Sequence, residues 1–319
     1  VAQNAVGGRL GSMSEPEAKG RSFHKGARDM SPGAVLHGLN FTEQWERALQ
    51  EDPRFLFVTG WNEWIAMRFT EFAGVRQPVV FVDQFDQEHS RDIEPMRGGH
   101  GDNYYYQLVS YVRRYKGARK PPTAGEPKTI NLEGGFEQWR DVTPEFLDDI
   151  GDEARRDHPG YGGGTKYVNT TGRNDILSAR VSRDEAYLYF YAQTREPLTP
   201  PDGPHWMQLF IDTDCDATTG WEGFDYTLNR VAPARRAATL EARPAGTWQS
   251  TAQVAYRVSG NELMVAVPRG ELGLQEAERP LRLRLKWADN IQQDDSTDEF
   301  LLNGDAAPNG RFCYLYQER

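Results

Sequence analysis

Two apolar runs dominate the first third of the chain, Phe55-Leu56-Phe57-Val58 and Val79-Val80-Phe81-Val82. Each stops abruptly at polar residues, the first at Thr59-Gly60-Trp61-Asn62-Glu63-Trp64 and the second at Asp83-Gln84-Phe85-Asp86. Unbroken apolar runs of this kind predict buried parallel strands that deliver polar groups to the open end of a sheet or barrel. Ahead of them, Phe41, Trp45, Ala48 and Leu49 share one helical stripe behind a cap-like Asn40 or Thr42, which predicts a helix ending before Asp52-Pro53. A second helix is predicted over 101–117, where Tyr104, Leu108, Tyr111, Val112 and Tyr115 keep helical spacing and Gly117 supplies the stop. Val1 to Val6 is expected to be a short strand, and 7–38 a long surface loop in which His24 and His37 stand out. Helix followed by strand is the order of α/β folds, whose chemistry sits where strands end.

The pattern changes after Lys120-Pro121-Pro122-Thr123-Ala124-Gly125-Glu126-Pro127, where three prolines and a glycine resist both helix and central strand. Beyond this linker, short alternating segments predict an antiparallel β-sandwich. Hairpins are expected at Ile176 to Val181 with Ala186 to Gln193, and at Ala252 to Val258 with Glu262 to Val267. Trp206 to Asp212, Phe224 to Val231, Leu281 to Trp287 and Arg311 to Tyr316 supply further strands. Thr143-Pro144 predicts a short helix or turn over Val142 to Leu147, and Asp157 to Gly164 reads as a loop. The fold class expected is α/β plus all-β.

Charge narrows the function. A net charge of −10 with no long basic block removes the electrostatic footprint of a nucleic-acid binder. No stretch approaches the roughly 18 apolar residues of a membrane-spanning helix, so no membrane span is expected. Cys215 and Cys313 lack CxxC spacing and zinc-type neighbours, so a structural zinc is not indicated. Eight Trp and fourteen Tyr are more than a core demands and suit stacking surfaces for a ligand. The chain begins at Val1 without Met or a signal peptide, which reads as a mature form, a trimmed form or a piece of something longer.

Glu63, flanked by Trp61 and Trp64 with Asn62 beside it, has the ingredients of a sugar site. Indole faces stack on the C–H face of a pyranose, and an apolar wall raises a carboxyl pKa toward general-acid duty. The same four residues equally suit two core indoles around a structural acid. Glycoside hydrolysis takes two carboxyls, about 5–5.5 Å apart for retention or about 6.5–9.5 Å for inversion. Glu63 is the first candidate; Glu94, Asp86 and Asp92 are the others, with His89 expected beside the sugar. In the sandwich, alternate acids at Asp212, Asp214 and Asp216 put three oxygen donors on one side of a turn, which suits Ca²⁺ as well as a solvated acidic turn. Trp206 and Trp287 lie in strand-like runs and are assigned to the core, whereas Trp221, in a turn, is the candidate sugar contact.

Trp61-Asn62-Glu63-Trp64, followed by Ile93-Glu94-Pro95 and a Gly- and Tyr-containing helix, resembles the C-terminal end of (β/α)8 barrels in endo-α-mannosidase-type glycoside hydrolases. The resemblance covers about 55–117 and implies that Glu63 is an active-site acid. Two departures stand against it: the family's second Glu, three residues on, is Ala66 here, and a long insertion separates Trp64 from Ile93. A barrel needs eight strands and about 250 residues, so either the N-terminal portion of the barrel is not on this chain or the first domain is not a barrel; the resemblance implies the former, a partial (β/α)8-barrel-like region over 1–119. Its partner would then be the missing N-terminal portion of the same enzyme. The 128–319 region resembles family nine carbohydrate-binding modules and DOMON-like sandwiches through 210–226, Glu137-Gln138-Trp139 and Leu285-Lys286-Trp287-Ala288-Asp289. That likeness favours a structural Ca²⁺. Haem is disfavoured, because His205 and Met207 offer poor axial ligands, and no organic cofactor is expected. The combined expectation is an extracellular or periplasmic glycoside hydrolase acting on a poly- or oligosaccharide. The alternative is a non-catalytic glycan-binding or scaffold protein with a degenerate site.

Overall fold

The computed structural model describes the chain apart from residues 1, 3–4, 64–67, 161–162, 276–279 and 319. The chain divides into two compact units, Val1–Lys120 and Pro121–Arg319. Strand accounts for 33% of residues and helix for 14%, without the helix-strand alternation expected of a barrel.

The first unit corrects the α/β expectation. Its strands come in antiparallel pairs: Ala5–Val6 with Arg9–Leu10, Phe23–His24 with Ala27–Arg28, and Arg68–Phe72 with Val75–Phe81. Among the described residues no parallel pair occurs, so this region does not form a partial (β/α)8 barrel. The run Phe55 to Val58 is not a strand. Phe55 and Phe57 are 77% and 75% exposed and stack on each other, while Leu56 and Val58 pack on a cluster of Phe41, Trp45, Ile93, Tyr104 and Tyr111. A run that is apolar throughout is therefore two-sided in space, which apolarity alone does not reveal. Both helices form as their periodicity predicts, α1 over Leu39–Glu51 and α2 over Asn103–Lys116. They meet through Trp45 stacked on Tyr111 at 5.3 Å, and Gln107 Nε2 donates to Gly38 O and Thr42 Oγ1.

The second unit is built on one antiparallel sheet of eleven strands. In chain order these are β1 Glu145–Leu147, β2 Ile176–Arg183, β3 Tyr187–Thr194, β4 Gln208–Asp212, β5 Tyr226–Leu228, β6 Ala237–Ala242, β7 Gln249–Ser259, β8 Glu262–Pro268, β9 Arg282–Asp289, β10 Asp305–Ala307 and β11 Tyr314–Gln317. Spatially they run β10-β9-β4-β5-β6-β7-β8-β3-β2-β1, with β11 also paired to β9. The two ends of the sheet approach each other, where Phe146 of β1 stacks on Tyr314 of β11 at 4.9 Å and the Tyr314 hydroxyl donates to Leu147 O at 3.0 Å. The sheet is thus nearly closed around a core that includes Trp206, Trp287, Phe190, Ile211 and Val265.

Period-two alternation decides what each face buries. On β3, Leu188, Phe190 and Ala192 enter the core, while Tyr189 and Tyr191 face outward. On β8, Leu263, Val265 and Val267 enter it, and Met264 and Ala266 face outward. The outward set is covered by a roof, the segment 130–142, through Ile130, Phe136, Trp139 and Val142. Elsewhere Phe210 of β4 and Ala288 of β9 face outward into a third cluster with Phe224, Ile291 and Phe300. Covering both faces adds roughly 1.5–3 kcal/mol for each large apolar side chain fully buried.

One sheet curled nearly closed on itself stands where two stacked sheets were expected, because each interior strand pairs with a neighbour on both sides through to the seam; the remaining differences in this unit are local. Glu145–Leu147 pairs with β2 as a strand, where Thr143-Pro144 predicts a helix or turn. Asp157 to Pro159, expected as the start of a loop, belong to the strand Arg156–Pro159, which pairs with Lys166–Asn169. The Pro-rich stretch is held at its far end, since Ala124 N–H donates to Gln317 O and Gly125 N–H to Thr143 O.

Candidate functional site

In the first unit Trp61, Asn62 and Glu63 are exposed, and Trp64 and Ala66 lie outside the described residues. Trp61 meets the edge of Tyr105 with ring centroids 6.2 Å apart. The Glu63 N–H donates to Asp92 Oδ1 at 2.6 Å, and the Glu94 N–H donates to Trp61 O at 2.9 Å. Glu63, Asp92 and Glu94 are thereby brought to one loop crossing. Asp92 is fully buried, and burial lifts its carboxyl above the ordinary range despite the bonds it accepts from Glu63 N–H and Ser90 Oγ. Its carbonyl accepts from Arg21 Nη2 at 2.7 Å, and that buried guanidinium lies 4.3 Å over the Tyr104 ring. Asp92 is accordingly committed to holding the loop. Asp86 and His89 form a pair of their own, Asp86 Oδ1 accepting from His89 N–H at 2.6 Å and meeting Nδ1 at 2.9 Å. Of the neighbouring acids, Asp83 pairs with Arg91, and buried Glu88 accepts from Ser22 Oγ at 2.6 Å.

In the sandwich the acids that converge are Asp212, Asp214 and Asp225, with carboxylate oxygens within 4.8 Å of one another. Asp216 stands apart and caps its own turn, accepting from the N–H and Oγ1 of Thr218. Asp212 is buried at the end of β4, accepts from Cys215 N–H at 2.6 Å and pairs with Arg284 at 3.1 Å; burial lifts its carboxyl to about 6. Asp225 Oδ2 accepts from both N–H and Oγ1 of Thr213 at 2.9 Å. Three hard oxygens, from the end of β4 and both ends of the connection to β5, can start a Ca²⁺ shell, which water and carbonyls would complete to six or more. Trp221 is half-buried against Phe210 and Phe300, at 5.6 and 5.7 Å between centroids, so its ring belongs to the third apolar cluster.

A different acid cluster lies at the closing seam of the sheet. Asp148, Asp152 and Asp305 lie together, and the buried ammonium of Lys286 donates to Pro308 O and to Phe312 O at 3.3 Å. Burial, reinforced by the neighbouring carboxyls, pushes Asp148 up to about 7 and Asp305 up to about 8, and burial draws Lys286 down to about 8.

Cavities open on the outer face of β2, β3, β7 and β8, on both sides of the roof. The first, about 310 Å³, is bordered by the rings of Phe136, Trp139 and Tyr191 and by Glu137, Gln193 and Glu262. Trp139 and Tyr191 stack at 5.1 Å and 28°. The Tyr191 hydroxyl donates to Glu262 Oε1 at 2.7 Å, and burial together with that carboxylate raises the phenol well above its usual range. Arg180 fastens the roof, donating to Trp139 O, Arg140 O and Val142 O through Nη1 and to Glu145 Oε1 through Nη2. On the other side of the roof, one cavity of about 400 Å³ and another of about 310 Å³ share Leu132 and Ala255 and so form one groove. The sequence signal for this face is the alternation Tyr187, Tyr189, Tyr191 on one strand, which places three phenol rings outward; only Glu137-Gln138-Trp139 of the roof stands out as a motif.

The chain matches no protein family and no curated protein, so neither resemblance seen in the sequence is supported by a match. Among solved structures it is similar to a candidate carbohydrate-binding protein from Bacteroides uniformis, at 9% identity and a TM-score of 0.27, over 46% of this chain and 79% of that one. So distant a likeness leaves the functional reading to the residues of the site.

Proposed function

We propose that this chain is a glycan-binding protein that acts without hydrolysis and holds an oligosaccharide in the cavity beside the roof of the sandwich. The observation that carries the reading is the convergence of stacked aromatic rings, Trp139 on Tyr191, with the planar polar groups of Glu137, Gln193 and Glu262 in one cavity. Carboxylates and amides match the paired hydroxyls of a sugar, and the Trp139–Tyr191 stack, 2% and 4% exposed, fixes the wall that carries them. A volume of about 310 Å³ lies within the usual range for ligand sites, roughly 300–1,000 Å³. Binding is preferred over hydrolysis because Glu63 is exposed to solvent and Asp92, beside it, is committed to the backbone. In this reading the ligand is a poly- or oligosaccharide met outside the cytoplasm, and Asp212, Asp214 and Asp225 hold a structural Ca²⁺.

The test is affinity electrophoresis of the whole chain through gels containing a panel of neutral polysaccharides. At least one gel is expected to retard the wild type. The double variant Glu137→Ala/Gln193→Ala should run freely in that gel while melting at the same temperature as the wild type. A wild type that no polysaccharide retards overturns the proposal.

A further inference from the structure

The groove on the far side of the roof has its own chemistry. One part is lined by Tyr187 and Tyr189, whose rings stack at 5.8 Å and 28°. The other part is lined by Arg235, Arg236 and Arg257, with Glu133 as the one carboxylate among its lining residues. Three guanidinium groups against one carboxylate make this cavity locally cationic on a chain whose net charge is −10. Arg257 is engaged with the roof, its Nη1 donating to Leu132 O at 3.0 Å and Gly134 O at 2.5 Å. Arg235 and Arg236 are exposed. Arg236 meets Glu133 at 3.5 Å with the two side chains 77% and 76% exposed, a pair held weakly in water. Two cations therefore stand ready beside an aromatic surface, on a face continuous through Leu132 and Ala255.

We infer that this groove is a second binding site, selective for an oligosaccharide bearing carboxylate or sulfate groups. Tyr187 receives a sugar ring, and Arg235 and Arg236 receive the anion through forked, charge-assisted hydrogen bonds. The inference rests on the glycan-binding reading above but uses none of the residues assigned there.

The experiment measures binding of three hexasaccharides to the full chain by calorimetry: an oligogalacturonate, a sulfated oligosaccharide and a neutral β-glucan fragment. At least one acidic ligand is expected to bind about tenfold more tightly than the neutral one, with an affinity that falls as salt rises. Arg235→Ala/Arg236→Ala should remove that tenfold advantage and leave neutral binding unchanged. Glu133→Gln, which removes the competing carboxylate, should raise acidic affinity about threefold. Preference for the uronate or for the sulfate identifies the anion and supports the site either way. Equal acidic affinity in wild type and the double Arg variant overturns it, as does a single-stranded oligonucleotide that binds as tightly as the acidic saccharide. Glu137→Ala/Gln193→Ala separates the two readings. If that variant keeps neutral binding while the Arg variant loses acidic binding, the first cavity fails and the arginine groove stands.

Discussion

Ile176 and Asp305 join the two ends of the sandwich sheet, the Ile176 N–H donating to Asp305 Oδ2 at 2.7 Å. That carboxyl is 4% exposed and, pushed up to about 8 by burial, keeps its proton where an ordinary Asp has lost it. An unfolded Asp ionises near pH 4. Between about pH 4 and about pH 8 the folded chain therefore holds a proton that the unfolded chain has released, and this contribution to stability falls as pH rises through that window. The lowered Lys286 acts above this window and in the opposite sense, since the unfolded amine holds its proton up to its ordinary 10.5. Asp305→Asn keeps an acceptor for Ile176 and removes the proton. Thermal melts are expected to show a higher Tm for the variant at pH 8, by a few degrees for about 1–2 kcal/mol, and little difference at pH 4. A variant that melts lower at pH 8 would show that the carboxylate is needed in its charged form.

Arg180 gathers three roof carbonyls and Glu145 on one guanidinium, so its loss leaves several acceptors unpaired at once. Arg180→Ala should cost about 2–4 kcal/mol in urea unfolding. The tryptophan fluorescence of Trp139 should move toward its solvent-exposed wavelength before the main transition.

If the acids at the end of β4 hold Ca²⁺, calcium raises the Tm and a chelator lowers it. Asp225→Asn should abolish the calcium-dependent part of the melt, and Asp216→Asn, which alters a turn cap, should leave it intact. The reverse result would return the site to the alternate acids Asp212, Asp214 and Asp216.

Glu63→Gln is expected to change neither polysaccharide retention nor stability by more than about 0.5 kcal/mol, the range for exposed substitutions. The wild type should release no reducing ends from any polysaccharide it binds. Release that Glu63→Gln abolishes would restore hydrolysis as the function.

The strands of the second unit were legible because they carry β-branched and aromatic residues between turn signals, as in Ile176 to Gln193, whereas their joining into one nearly closed sheet was not. Strands flanked by cover on both sides read less cleanly, since Phe210 and Met264 bury outward positions that alternation would leave polar. The first unit departs from its sequence pattern for a related reason. Phe55 to Val58 has the composition of a strand buried on both faces, yet two of its side chains lie in water and no ladder pairs it. Acid clusters were only half legible, because the partner of Asp212 and Asp214 comes from Asp225 beyond the turn, while the nearer Asp216 is engaged by Thr218. The proposed cavity depends on contacts between Trp139 and Tyr191 across 52 positions of sequence, a pairing that local periodicity does not encode.

The roof over β3 and β8 comes from chain that precedes the first strand of the sheet, and Lys128 anchors its start through Gln138 O and Asp141. Shortened forms of the sandwich therefore have to begin upstream of Lys128. A fragment trimmed neatly to the start of β1 would retain every strand and present bare tyrosines and Met264 to solvent, so it would invite aggregation and report nothing about ligands.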